Sequence, residues 1–233
     1  MGRKIAIMGA MPEEIAPLIE KLDNVTKSAY AANTYYEGTY KDKEVVVAYS
    51  KIGKVFATLT ATILIEKFGG DTLLFSGVAG AISKELNIGD LIIADGVCQH
   101  DLDITAFGHP YGYVPEGEVC IHTDVNLRKI AKEVAYSKGL LLKEGVIATG
   151  DQFVANAKRK EWIGETFEAD ALEMEGAAVA VVCRSFNVPF FILRAISDSA
   201  DMDAGFDFDA FLESSAKISA DFVISMVEKM SDE

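Results

Sequence analysis

Lys4-Ile5-Ala6-Ile7-Met8, then Gly9-Ala10-Met11-Pro12, then Glu13-Glu14-Ile15-Ala16-Pro17-Leu18-Ile19-Glu20-Lys21 is the stretch whose reading decides the architecture. The first five residues are a short apolar run with a small-residue and proline break behind it, the mark of a buried strand. The segment from about Glu13 to Lys21 reads as the helix that follows. The same alternation of apolar runs and amphipathic stretches continues to the end of the chain, which places it in the α/β class, with helices packed around a largely buried sheet.

Working outward, Thr34 to Tyr40 and Lys43 to Ser50 alternate as two strands joined by a hairpin turn at Lys41-Asp42. A helix from about Lys54 to Phe68 stops at Gly69-Gly70. Further strands are expected at Thr72 to Phe75, Leu91 to Asp95, Val146 to Thr149, Ala171 to Met174 and Phe190 to Ala195. Thr123 reads as the N-cap of a helix reaching Ser137, and Asp207 to Met230 as a long C-terminal helix with Phe211, Ile218, Phe222 and Met226 at helical spacing. The least regular segment, His100 to Glu118, mixes glycines and prolines with Phe107, Tyr111 and Tyr113, which predicts a long ordered or partner-covered loop. No repeat, low-complexity tract or linker is visible, so one domain over residues 1–233 is expected.

Composition narrows the partners. The 233 residues are 50% hydrophobic and carry 36 acidic against 22 basic side chains, a formal charge of −14. The lysines and arginines are scattered, whereas nucleic acid or an anionic membrane would need clustered positive charge. A small substrate without strong negative charge is the expectation. Cys98, Cys120 and Cys183 are widely spaced and lack a CxxC pair, and the only histidines are His100, His109 and His122. Neither a disulfide framework nor a metal site is indicated, and no cofactor is expected. No apolar run reaches the length of a membrane span, and Met1-Gly2-Arg3 leads directly into the first strand, so a cytoplasmic protein is expected.

Three acidic positions fall where a strand gives way to a turn or helix: Glu13-Glu14, Glu173-Met174-Glu175, and Asp198. Carboxylates at strand ends can converge on one crevice. Each also has a purely structural reading: Glu13 and Glu14 favour a helix N-terminus, Glu175 does the same for a helix starting at Gly176, and Asp198 would serve as an N-cap.

Taken together, six short strings weigh against coincidence: Gly9-Ala10-Met11-Pro12-Glu13-Glu14, Ser50-Lys51-Ile52-Gly53-Lys54-Val55, Ser76-Gly77-Val78-Ala79-Gly80, Gly150-Asp151-Gln152-Phe153, Glu173-Met174-Glu175-Gly176-Ala177 and Arg194-Ala195-Ile196-Ser197-Asp198. In order and spacing the chain resembles the 5′-methylthioadenosine/S-adenosylhomocysteine nucleosidase family of the nucleoside phosphorylase superfamily over nearly its full length. The resemblance implies a three-layer α/β/α sandwich with a central twisted mixed sheet flanked by helices. It also implies hydrolysis of the N-glycosidic bond of 5′-thio adenine nucleosides, and for some members of 5′-deoxyadenosine or 6-amino-6-deoxyfutalosine, an intermediate of a menaquinone route.

Residue by residue, the resemblance makes Asp198 the acid that protonates adenine N7 and Glu14 the carboxylate that holds the attacking water, with Arg194 and Ser197 beside it. Glu175 would bind the ribose 2′ and 3′ hydroxyls, with Met174 lining the sugar, Glu173 and Val78 also among the substrate-binding residues, Phe153 stacked on the purine and the backbone of Val154 at its edge. Met11, Ile52 and Phe208 would enclose the 5′ group, joined by Ile104, Phe107 and Pro115 from the neighbouring subunit of a homodimer. His109, Tyr111 and Tyr113 would lie at that interface. The chemistry needs such residue types: an oxocarbenium-like sugar calls for an acid at the leaving group, a nearby carboxylate and a positioned water. An aspartic acid serving at neutral pH further needs a raised pKa or a hydrogen bond tightened by substrate.

The chain departs from the family pattern at Val78, where a serine is usual, and at Pro12, where an acid is usual. A phosphorylase is the main alternative and a non-catalytic nucleoside binder the second. A phosphate nucleophile must be held by cations, yet neither Met11-Pro12-Glu13-Glu14 nor Leu74-Phe75-Ser76-Gly77-Val78 contains an arginine. Simple binding has no use for both Glu14 and Asp198.

Overall fold

The computed structural model describes residues 4–200 and 204–230; Met1-Gly2-Arg3, from which the N-terminal expectation was drawn, lies outside them. In chain order the elements are β1 (Lys4–Gly9), α1 (Pro12–Ile19), β2 (Asp23–Tyr30), β3 (Asn33–Tyr40), β4 (Lys43–Tyr49), α2 (Lys54–Glu66), β5 (Thr72–Ala81) and β6 (Leu91–Gln99). They continue with β7 (Cys120–His122), α3 (Val125–Lys138), β8 (Leu142–Thr149), α4 (Ala157–Phe167), β9 (Ala169–Glu173), α5 (Gly176–Phe186), β10 (Phe190–Asp198) and α6 (Ala204–Lys229).

The strands build one ten-stranded mixed sheet in the order β10-β6-β8-β9-β5-β1-β4-β3-β2, with β7 on β6. A further pairing of β10 with β5 closes β10, β6, β8, β9 and β5 into a ring. Strand β5 is the hinge of this arrangement. On one side its first half pairs with β1 through Thr72 to Phe75 and its end with β9 through Gly80 and Ala81. Between Phe75 and Gly80 that side has no strand neighbour among the described residues, and this split is the crevice in which the acidic strand ends meet.

The central strands bury both faces, and their period of two sorts side chains between two layers. Ile5 and Ile7 of β1, Val45 and Val47 of β4, and Phe191 and Leu193 of β10 pack beneath α1, α3 and α6. Their neighbours Ala6, Met8, Val46, Ala48 and Ile192 pack beneath α2 and α5. Each fully buried aliphatic side chain contributes about 1.5–3 kcal/mol relative to exposure, so the two layers hold the sheet from both sides. Among the described residues no helix is long and apolar enough to cross a membrane.

Several local expectations are corrected. Strand β5 does not stop at Phe75 but runs on through Ser76 as one continuous strand to Ala81. Asp124, not Thr123, caps α3: its carboxylate accepts from the N–H groups of Asn126 and Leu127, both at 2.9 Å, while Thr123 Oγ1 donates to the carbonyl of Ala94. Asp198 caps no helix but ends β10. Strand β2 and helix α4 were not anticipated.

Helix α6 is tied to the crevice strand through Ser219. Its Oγ accepts from the buried N–H of Gly77 at 3.1 Å and lies 2.9 Å from Ser76 Oγ. Ser219→Ala leaves that N–H without a partner, at a cost of about 1–3 kcal/mol. Urea unfolding should therefore show a lower midpoint with an unchanged slope; a midpoint equal to that of the parent protein would mean the tie does not stabilise the fold.

Candidate active site

One cavity opens at the split in the sheet, and each wall is supplied by a different strand end. Strand β1 leads to Ala10, Met11 and Glu14; β5 supplies Val78, Ala79 and Gly80; β9 leads to Glu173, Met174 and Glu175; β10 supplies Ser197 and Asp198. The segment after β8 adds Gln152, Phe153 and Val154, while Ile52 and Phe208 close the rim.

Glu14 is placed by its own helix. Pro12 fits the first turn of α1, where its missing N–H is no loss, and Glu14 then reaches back over the strand-to-helix turn. Its Oε2 accepts from the N–H groups of Ala10 and Met11, and its Oε1 from Val78 N–H at 3.0 Å. The side chain is only 2% exposed. Burial raises its pKa, against the opposing pull of Arg194 and of these three N–H groups. Gly77 makes this placement possible: a Cβ there would stand 2.8 Å from Glu14 Oε1 and 3.2 Å from Arg194 Nη1. Val78, where a serine is usual, faces the cavity with a side chain that makes no hydrogen bond, but its backbone N–H is the group that grips Glu14.

Asp198 owes its direction to a β-bulge. The pairing of β10 with β5 shifts between Ile196 and Asp198, so Asp198 faces Gly80 and turns into the cavity. Its Oδ2 accepts from Ser197 Oγ at 3.0 Å and its Oδ1 from Ala200 N–H at 2.8 Å.

Glu173 and Glu175 divide the work at the end of β9. Glu175 stands at the N-cap position of α5, as expected, but its side chain does not hydrogen-bond the helix's first N–H groups. Glu173 does that instead, its Oε2 accepting from the N–H groups of Gly176 at 2.7 Å and Glu175 at 3.2 Å. Glu173 also accepts from Thr149 Oγ1 at 2.5 Å and from Arg194 Nη2 at 2.6 Å. Although it borders the cavity, its oxygens are committed to protein groups. Glu175 keeps one oxygen on the N–H of Gly53 at 2.8 Å. Burial, and next the neighbouring Glu173 carboxylate, push its pKa up to about 8.

Arg194 does not border the cavity. It lies beneath it, 1% exposed, donating to the carbonyls of Phe75 and Leu193 and to Glu173, with its guanidinium 4.0 Å from the centre of the Phe75 ring. Phe153 and Phe208 meet edge to face at 5.6 Å across the mouth, Val154 is buried behind them, and Ile52 is 54% exposed. Ile104, Phe107 and Pro115 are away from the cavity of their own chain, Phe107 being 81% exposed. In the same loop His109 stacks on Tyr113, and Tyr111 packs edge-on against Trp162. Gln152 and Leu172 are cavity residues that sequence reasoning passed over; a polar residue beside Phe153 and a leucine inside a buried strand carry no distinguishing signal.

The arrangement gathers three carboxylates, those of Asp198, of Glu14 fixed by backbone N–H groups and of Glu175, and no lysine or arginine borders the space among the described residues. A family model described as the phosphorylase superfamily matches residues 4–228. The chain is 57% identical over 227 residues to a Campylobacter jejuni protein named aminodeoxyfutalosine nucleosidase, covering 97% of this chain and 99% of that one. It is 40% identical over 227 residues to a Staphylococcus aureus protein named 5′-methylthioadenosine/S-adenosylhomocysteine nucleosidase, covering 97% and 100%. The crystal structure of the Helicobacter pylori 5′-methylthioadenosine/S-adenosylhomocysteine nucleosidase with butyl-thio-DADMe-Immucillin-A matches with a TM-score of 0.96 at 50% identity, covering 99% of this chain and 100% of that one. The chain belongs to the phosphorylase superfamily and, within it, to the 5′-methylthioadenosine/S-adenosylhomocysteine nucleosidase family, and it is a nucleosidase.

Proposed function

We propose that this cavity hydrolyses the N-glycosidic bond of 5′-substituted adenine nucleosides, with methylthioadenosine, adenosylhomocysteine and 6-amino-6-deoxyfutalosine as substrates. The observation that carries the reading is the convergence of Glu14, Glu175 and Asp198, from three separate strand ends, on a single cavity. The relatives' names supply the substrates.

In this reading Asp198 gives a proton to N7 of adenine as the bond between C1′ and N9 breaks, so that its electron pair leaves with a neutral purine. Ser197 and the N–H of Ala200 orient the carboxyl. Water held by Glu14 attacks C1′ and passes a proton to that carboxylate, while Glu175 accepts from the ribose hydroxyls and offsets the positive charge growing on the sugar. Phe153 stacks on the purine, the backbone of Val154 reads its edge and Met174 lines the sugar. Glu173 and Arg194 act beneath them, fixing the ends of β9 and β10.

Met11, Ile52 and Phe208 enclose the 5′ substituent, and Ile104, Phe107 and Pro115 of a second copy complete the wall in a homodimer. Support for the dimer comes from an exposed apolar surface: Val55 (77% exposed), Phe56 and Leu59 on α2 stand beside Ile52, and Phe107 projects from its loop. Clustered exposed apolar side chains such as those on α2 ordinarily mark an interface.

Asp198→Asn keeps the shape of the side chain but removes the acid. Turnover should fall by on the order of 10²-fold or more while the affinity for methylthioadenosine stays near that of the parent; a variant turning over within threefold of the parent contradicts the assignment.

The pH dependence of stability tests the environment of Glu175. Its carboxyl binds a proton more tightly in the folded protein, up to about 8, than in the unfolded chain, where the reference value is 4.5. That contribution is complete below the unfolded value and is lost as pH rises through the folded one. In ligand-free protein the melting temperature of Glu175→Gln, relative to the parent, should therefore climb between pH 5 and pH 8. A difference that stays constant over this range would show that Glu175 titrates normally.

A further inference from the structure

Three side chains outside the cavity join its two halves. Gly53, whose N–H holds Glu175, is followed by Lys54, whose N–H donates to Asp151 Oδ1 at 2.7 Å. Asp151 in turn precedes Gln152, Phe153 and Val154 on the opposite wall. Asp101, at the root of the long loop, accepts from the N–H of Asp151 at 2.8 Å through one oxygen and from Lys54 Nζ at 2.7 Å through the other. Lys54 Nζ also donates to Gln99 Oε1 at 3.1 Å.

Gly53 fits this close approach and little else would. Its φ is +98°, and a Cβ would stand 2.9 Å from Asp151 Oδ1. The Asp101 carboxyl is held below its usual range: burial alone would raise it, but Lys54 and the Asp151 N–H favour the charged form. Partly exposed ion pairs of this kind contribute little to stability, so fold stability is a poor explanation for a network of three residues.

We propose that Lys54, Asp101 and Asp151 are positioning residues, a clasp that fixes the segment bearing Phe153 and Val154 at the correct distance from Gly53 and Glu175. The inference rests on the nucleosidase reading above, in which the first segment takes the purine and the second the ribose. None of the three borders the cavity, so they act through the groups they hold. A whole nucleoside needs both halves in register, whereas free adenine needs only the purine side.

The test compares the two ligands. Asp151→Ala and Lys54→Met should raise KM for methylthioadenosine about tenfold or more with kcat within about threefold, while adenine inhibits with a constant within about threefold of the parent. Asp151→Asn, which keeps an acceptor for the Lys54 N–H, should recover most of the lost KM. Circular dichroism and melting temperature establish that each variant is folded, and the two variants remove different members of the clasp. A KM within twofold of the parent in both variants, or equal weakening of nucleoside and adenine, overturns the clasp. Failure of the parent protein itself to release adenine would instead overturn the nucleosidase reading.

Discussion

The buried ion pair between Arg194 and Glu173 is the constraint on which the site depends. Their side chains are 1% and 3% exposed. Glu173 alone gathers the ends of three elements, through Thr149 of β8, the N–H groups that open α5, and Arg194 of β10. Arg194 carries the connection to β5 through the carbonyl of Phe75. Desolvating such a pair is costly, and removing one partner strands the other charge at about 3–5 kcal/mol. Its benefit is geometric, since it holds together strand ends that the split in the sheet would otherwise leave apart.

The same pair sets the electrostatics of the cavity. Glu14, Glu173 and Glu175 are all buried in one region, and Arg194 is the cation that acts on both Glu14 and Glu175. Glu173 takes the direct contact and Glu14 collects three backbone N–H groups, so Glu175 is left with the least compensation. Its upward shift comes from burial and then from the Glu173 carboxylate, which the Gly53 N–H and Arg194 offset only in part. A sugar acquiring positive charge beside it would reverse the balance, favouring the carboxylate at the moment of bond cleavage.

Much of the fold was legible because β1, β4 and β10 are apolar on both faces and α2 ends at a glycine pair. Strand β2 was not, since its sequence from Asp23 to Tyr30 is polar and lies at the exposed edge of the sheet, where no burial imposes a pattern. Helix α4 buries only Ile163 and Phe167, too few to give a clear period. The acidic strand ends were legible as candidates, and the family resemblance gave each a role. The division of labour between Glu173 and Glu175 was hidden: both are glutamates two residues apart, and only the turn into α5 decides which one faces the backbone and which the cavity. The clasp was hidden for the same reason, its members being ordinary charged residues until the chain brings positions 54, 101 and 151 together.

The central claim is that water, not phosphate, is the nucleophile in a cavity lined by carboxylates. A phosphate dianion would meet Glu14 and Glu175 with no cation among the described residues of the cavity wall to offset them. The most direct measurement follows adenine and sugar release from methylthioadenosine in phosphate-free buffer, with and without added phosphate. Stoichiometric adenine and free reducing sugar, at a rate unaffected by phosphate, is the expected result; a rate that requires phosphate and yields a sugar 1-phosphate would contradict it.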